Sequence, residues 1–334
     1  MIYGTLKRRD VLGAAGVAGL ARSFPALAAA EPPPETAHLR VANSTILCFA
    51  PQFVAEELLR AEGFTQVEFI QRTPEINTAV RLGEAEIDIS LTLTPTALLQ
   101  IDAGRPVVLL AGGHVGCYEM FAPPGVRAVR ELKGKGISIP RRDGGSHVMA
   151  QMILSNIGID PRKDVQWRVD PWADVPRLLS EGKIDAYVGF PPEPQELRSR
   201  KIGHVIFSMR DDRPWSQYFC CSVAGNREFV RKHPVATKRA LRAIVKGMDI
   251  CAADPQRAAR AAVTHNPQAN LDDVVQMVKE LRYASWREFS AEDTARFFAL
   301  RLRDIGMLKG NPKQLLAHGT DWRFIDQLRK EMKT

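Results

Sequence analysis

From Leu39 onward the chain alternates short apolar or β-branched runs with stretches whose apolar residues recur at helical spacing. Leu39-Arg40-Val41-Ala42-Asn43 predicts a first strand, and Gln52 to Ala61 a helix, with Phe53, Val54, Leu58 and Ala61 on one face. Val67 to Ile70 predicts a second strand. Thr73-Pro74 opens the next helix, with Thr73 as cap and Pro74 in the first turn, and Gly83 ends it. Ile87 to Ser90 is a third strand, and Thr94-Pro95 starts another helix by the same device. Pro106 to Leu110 and Glu119 to Ala122 follow as strands.

A second set of units begins after Pro123-Pro124-Gly125. It predicts strands over 136–139, 165–169, 186–188, 204–207 and 218–223, with helices over 146–156 and 174–180 between them. From Asn226 the pattern is only helical, with candidates at 234–251, 255–264, 271–281, 291–302 and 322–331. The order is therefore α/β, α/β again, then all helix, which argues for parallel α/β units.

The first thirty residues follow a different rule. Lys7-Arg8-Arg9-Asp10-Val11-Leu12-Gly13 precedes a short, weakly apolar run that ends in Ala26-Leu27-Ala28-Ala29-Ala30. A charged start, an apolar middle and a small-residue cleavage site predict an export signal over 1–30, and the pair Arg8-Arg9 resembles the twin-arginine motif. Val11 to Ala21 is too short to span a bilayer, which needs about 20 apolar residues. Cleavage after Ala28 or Ala30 fits equally. Glu31-Pro32-Pro33-Pro34-Glu35 reads as a stiff, solvated lead-in over 31–37. The expected setting is the periplasm.

A chain of 334 residues less that leader is long enough for two domains. The net charge is +8, of which Lys7, Arg8, Arg9 and Arg22 against Asp10 supply +3 within the leader. The rest is interspersed with acids, which predicts a solvated surface and no nucleic-acid partner. The five cysteines show no Cys-x-x-Cys spacing and the seven histidines do not cluster in sequence, so no metal and no cofactor is expected.

Four stretches carry a family resemblance. They are Asp88-Ile89-Ser90 through Thr94-Pro95-Thr96-Ala97-Leu98, Gly104-Arg105-Pro106-Val107-Val108, Leu132-Lys133-Gly134-Lys135 through Gly145-Ser146-His147, and Leu179 through Gly182-Lys183-Ile184-Asp185-Ala186. Their order and spacing resemble the nitrate/sulfonate/taurine-binding group of ABC-importer periplasmic proteins, whose domain is shared with thiamine-pyrimidine synthases. The resemblance implies an α/β, two-lobed type II periplasmic binding protein fold with two crossing hinge strands and an additional C-terminal helical segment. Lobe one would take 38–120 and 221–334, with the C-terminal helices packed on it, and lobe two 121–220. It further implies a monomer with no chemistry of its own. Such a protein closes its lobes on a small, anionic organic ligand (a sulfonate, a carboxylate or a pyrimidine) and hands it to an ABC permease.

Ligands of open α/β sheets sit beyond the carboxyl ends of strands. That rule selects Ser44, Thr45, Cys48 and Phe49 after the first strand, Thr92 and Thr94 after the third, and Tyr118 in the first crossing segment. In the second set it selects Gly145, Ser146, His147, Trp172, Phe190 and Glu193, and Trp215 in the return crossing. Gly144-Gly145-Ser146-His147 combines free amides and a hydroxyl at a helix start, which suits an anion; an ordinary turn and N-cap fits the same residues. Arg141 and Arg142 read as a solvated pair. The aromatics suit a ligand with a flat or apolar body, or simple core packing. Cys48 opens an alternative. A desulfinase of the same fold carries a nucleophilic cysteine in a similar position with a histidine and an arginine; Arg81 is similar to the arginine, but Gln71 falls where the histidine is expected. A sensory binding protein is a further alternative.

Overall fold

The computed structural model describes Met1 and residues 31–71 and 77–332. The motif at Arg8 and Arg9 and the helix start at Thr73-Pro74 lie outside the described residues. The chain divides into residues 1–32 and a unit from Pro33 to Thr334, and the description below concerns the second.

Among the described residues ten strands form the frame: β1 (His38–Asn43), β2 (Gln66–Gln71), β3 (Ile89–Leu93), β4 (Val107–His114), β5 (Glu119–Ala122), β6 (Gly136–Ile139), β7 (Gln166–Val169), β8 (Ala186–Gly189), β9 (His204–Ser208) and β10 (Cys221–Asn226). They pair as β1-β2, β3-β10-β4 and β7-β6-β8-β5-β9. The Asp88 amide donates to the Arg40 carbonyl at 2.9 Å, which sets β1 beside β3. The first half thus reads β2-β1-β3-β10-β4, the same plan as the second. In each half one strand runs antiparallel to both neighbours, and it is the strand that has just crossed from the other half. We call the half around β1–β4 and β10 lobe one and the half around β5–β9 lobe two.

The apolar run of Val107 to Ala111 is unbroken because β4 is buried along its whole length. At its end the two crossings touch. A Cβ on Gly112 would lie 2.2 Å from the Phe219 ring, so only glycine lets the return crossing lie against the outgoing one. Gln52 fastens the mouth of lobe one: it donates to Ala42 O at 2.7 Å and accepts from Ser90 Oγ and Leu91 N, each at 2.9 Å. All three partners lie on β1 or β3, so one buried amide ties both strand ends together.

Several elements differ from expectation. The helix predicted over 52–61 is two, Ala50–Val54 and Glu56–Ala61, after a 3₁₀ turn at Leu47–Phe49. The strand predicted from Tyr218 begins at Cys221, because the Tyr218 ring stacks on Phe297 at 4.0 Å and is held outside the sheet. The lead-in is docked rather than wholly solvated: the Glu35 carboxylate accepts from the Val235 and Ala236 amides at 2.9 and 2.8 Å, capping the helix Pro234–Ala253.

The C-terminal helices also depart from the expected packing on lobe one alone. Pro234–Ala253 packs on Ala50–Val54, but Ala291–Asp304 touches both Thr94–Asp102 of lobe one and Gly145–Asn156 of lobe two. Leu271–Glu280 packs on Glu193–Ser199 of lobe two. The reason is electrostatic as well as apolar. Arg198 binds Glu119 and, at 2.5 Å, Glu280, and Arg210 reaches Glu280 at 3.4 Å. Among the described residues no helix is long and apolar enough to cross a membrane.

Candidate functional site

The loops at the carboxyl ends of β1, β3, β6 and β8 surround a cavity of about 490 Å³, within the usual range of small-molecule sites. Ser44, Thr45, Cys48 and Phe49 line it from the loop after β1, Thr92 from β3, and Tyr118 from the outgoing crossing. Gly145, Ser146, Phe190 and Glu193 line it from lobe two.

Lobe two supplies an open helix terminus. The helix Gly145–Asn156 has Gly144 at its N-cap, with no side-chain cap. Its first amides are the orphan donors of every helix start, and they carry the positive end of the helix dipole. Gly145 must be glycine here, because a Cβ would sit 2.4 Å from the Tyr118 hydroxyl and 2.9 Å from Leu93 Cδ2. That close approach is where lobe two meets lobe one and the crossing segment.

Two hydroxyls in the cavity wall are buried without a hydrogen-bond partner among the described residues: Thr92 Oγ1 in lobe one and Ser146 Oγ in lobe two. A buried unsatisfied hydroxyl costs free energy, and here both belong to residues that line the cavity. Arg81 and Arg141 line the same cavity. Glu193 lines it too: it accepts from the Tyr187 hydroxyl at 2.7 Å and the Phe190 amide at 3.3 Å. Burial outweighs those bonds and lifts its carboxyl to about 7.

The floor is built of sulfur. Cys48, Cys117 and Cys221 line the cavity, and His114, at the end of β4, lies beneath them. All four are buried, as is Cys220, and all five cysteines of the chain are free thiols. Burial disfavours charge on His114, but the neighbouring Cys220 and Cys48 sulfurs raise its pKa to about 10. Burial likewise opposes ionisation of the Cys48 thiol, while bonds from Cys117 and Cys221 and the charge on His114 bring it well below its ordinary range.

A model of the NMT1-like family matches residues 32–265. The chain belongs to the NMT1-like family. Its fold is that of periplasmic binding proteins. The nitrate-binding protein NrtA of Synechocystis PCC 6803 superposes with a TM-score of 0.75 at 14% identity, over 90% of each chain. The alkanesulfonate-binding protein SsuA of Xanthomonas axonopodis pv. citri, bound to MOPS, gives 0.68 at 15% identity, over 86% of this chain and 99% of that one. The aliphatic sulphonate binding protein SsuA of Escherichia coli gives 0.63 at 14% identity, over 83% and 93%. A comparison with curated proteins gave no match.

Four residues of the sequence-based site lie elsewhere in this NMT1-like protein. Thr94 Oγ1 bonds Phe219 O at 3.0 Å and Ser222 Oγ at 2.8 Å, so it pins its helix to the return crossing, and Leu93 occupies the N-cap. His147 turns into lobe two, edge-on to Trp167 at 4.5 Å, with Nδ1 accepting from the Asp143 amide at 3.0 Å. Trp172 packs on Tyr187 and borders a separate surface groove with Asn266 and Asp273. Trp215 is core, enclosed by Phe207, Phe297 and Phe298. In each case the neighbour that captures the side chain is distant in sequence or needs a turn direction that spacing does not fix.

Other lining residues escaped the sequence reading. Asn43, Asn77, Thr78, Pro140 and Cys221 line the cavity, and the strand-end rule alone reaches Asn43 and Pro140. Arg141, read as part of a solvated pair, is exposed to solvent but stands at the cavity wall.

Proposed function

We propose that this NMT1-like protein is a solute-binding protein whose cleft holds a small organic anion between its two lobes. The observation that carries the reading is the pair of buried, partnerless hydroxyls on Thr92 and Ser146, residues that line one cavity from opposite lobes, beside an uncapped helix terminus. Amide donors, two hydroxyls and the positive charge of Arg141 and of Arg81, whose guanidinium also bonds Glu86 and the Ile70 carbonyl, suit a sulfonate or carboxylate head. Phe49, Tyr118 and Phe190 supply apolar wall for its body. Closure of the lobes on the ligand would be the signal, since only a ligand with more contacts in the closed state shifts that equilibrium. In this reading the protein works as a monomer; by analogy with its structural neighbours it does so in the periplasm, as the ligand-binding component of an ABC importer. Arg8 and Arg9 would direct its export by the twin-arginine route. Lobe boundaries near 120 and 221 follow the two crossings.

The test is a thermal-shift screen of the full chain against sulfonates, carboxylates and pyrimidines, followed by calorimetry and mass spectrometry of the ligand. A ligand present at a hundred times its Kd stabilises the fold by about 2.7 kcal/mol. Binding without turnover is expected. Failure of every anion to shift the melting curve sinks the anion reading, and turnover that disappears in Cys48→Ser replaces it with a cleft enzyme.

A further inference from the structure

The sulfur floor lines the same cavity but supplies none of the donors assigned to the anion, and its geometry is specific. Cys48 follows β1, His114 ends β4, Cys117 lies in the outgoing crossing and Cys221 opens β10. One ligand atom from each lies within 4.8 Å of all the others. Cys117 Sγ stands 3.8 Å from Cys48 Sγ, 3.7 Å from Cys221 Sγ and 3.5 Å from His114 Nδ1. A tetrahedral ion with sulfur arms of about 2.3 Å and a nitrogen arm of about 2.0–2.1 Å holds its sulfurs about 3.8 Å apart and sulfur and nitrogen about 3.5 Å apart. The three separations measured around Cys117 match the edges of that tetrahedron.

We propose that Cys48, His114 Nδ1, Cys117 and Cys221 form a Cys₃His site for Zn²⁺. Three thiols and an imidazole suit a thiophilic ion and exclude the oxygen-seeking Mg²⁺ and Ca²⁺. Four protein ligands complete a closed, structural coordination sphere. The ion ties both crossing segments to the first loop of lobe one, so it sits at the hinge on which the lobes would move. Binding displaces the thiol protons to solvent. Cys220 stands outside the four. Its thiol donates to the His114 carbonyl at 3.3 Å and lies 2.7 Å from Cys117 Sγ, so where dioxygen or another two-electron oxidant takes the electrons, a Cys117–Cys220 disulfide, formed with loss of both thiol protons, is the competing state.

The test uses the reduced full chain, loaded separately with Zn²⁺ and Co²⁺. The expected result is one ion per chain, with the thiolate-to-cobalt charge-transfer band and the strong visible bands of tetrahedral Co²⁺. Zn²⁺ at a hundred times its Kd should raise Tm by about 4 °C. Cys117→Ser should weaken uptake at least about a hundredfold, in the range set by loss of one thiolate, whereas Cys251→Ser, in a helix away from the cluster, should leave uptake unchanged. Absence of the cobalt spectrum in the reduced wild-type chain overturns the proposal even if Cys117→Ser does not fold. So does uptake that survives Cys117→Ser, uptake of Cu(I) without Zn²⁺ or Co²⁺, or a Cys117–Cys220 disulfide that returns after reduction and bars metal.

Discussion

The two lobes share one strand order but furnish the cleft differently. Lobe two offers main chain: the bare amides of Gly145 and its neighbours, with one hydroxyl from Ser146. Lobe one offers side chains: Thr92, Arg81 and, with the crossing segments, a floor of packed thiols. The lobe-two donors are fixed by a twelve-residue helix and are set whatever the ligand. The lobe-one groups depend on side chains, so they are where selectivity between anions would be set. A second contrast is anchorage. Lobe one is backed by the helix Pro234–Ala253, while lobe two is held to the C-terminal helices through Arg198, Glu119 and Glu280.

The largest effect is expected where that anchorage is cut. Arg198→Ala leaves Glu119, 5% exposed, and Glu280, 13% exposed, facing each other without their shared cation. The loss should be about 2–3 kcal/mol, below the usual cost of breaking a buried pair because Arg198 is itself partly exposed. Urea denaturation measures it, and an unchanged midpoint would show that lobe two does not need the C-terminal helices.

Next in size are the two orphan hydroxyls. Ser146→Ala and Thr92→Val should each weaken ligand binding by about 1–2 kcal/mol by calorimetry. Both should leave the ligand-free protein as stable as before or slightly more so, because each removes an unsatisfied buried hydroxyl. If only one lobe's variant changes affinity, the ligand is held by that lobe alone and closure loses its driving contact.

The smallest effect concerns Glu193, whose carboxyl faces Tyr187 with Glu196 nearby. With its pKa raised to about 7 it is neutral below that pH and charged above it. An anionic ligand should therefore bind about fivefold more weakly above neutrality than below, the effect of roughly 1 kcal/mol of added repulsion. The folded state also binds more protons than the unfolded one between the ordinary carboxylate range and about 7, so stability falls as pH rises through that window. Glu193→Gln should flatten both slopes, and a slope that persists in Glu193→Gln assigns it to another group.

Much of this was legible in the chain. Alternating apolar runs announced the α/β units because a strand or helix must turn one periodic face to the core, and that periodicity is written locally. The strand-end rule reached Ser44, Thr45, Phe49, Thr92, Tyr118, Gly145, Ser146, Phe190 and Glu193, all of which line the cavity. It failed at Trp215 and Trp172, where the ring was captured by Phe297 or Tyr187, partners that local spacing cannot supply. Thr94 failed for the same reason: its hydroxyl found Ser222 on the return crossing.

What the sequence determined by itself, then, is the order of elements, α/β units twice over and then helices alone, and the glycine that opens the helix Gly145–Asn156. These rest on short-range patterns of burial, capping and turn chemistry. The two lobes it implied only through the family resemblance. Only the tertiary structure decided that the C-terminal helices span both lobes and that Cys48, His114, Cys117 and Cys221 meet beneath the cleft. Those four come from three separate stretches of chain, brought together where the two crossings touch at Gly112. Ligand spacing along a chain reveals a metal site only when the ligands share a turn or a helix. Here only His114 and Cys117 are neighbours in sequence and the hinge supplies the other two, so no local motif records the full set.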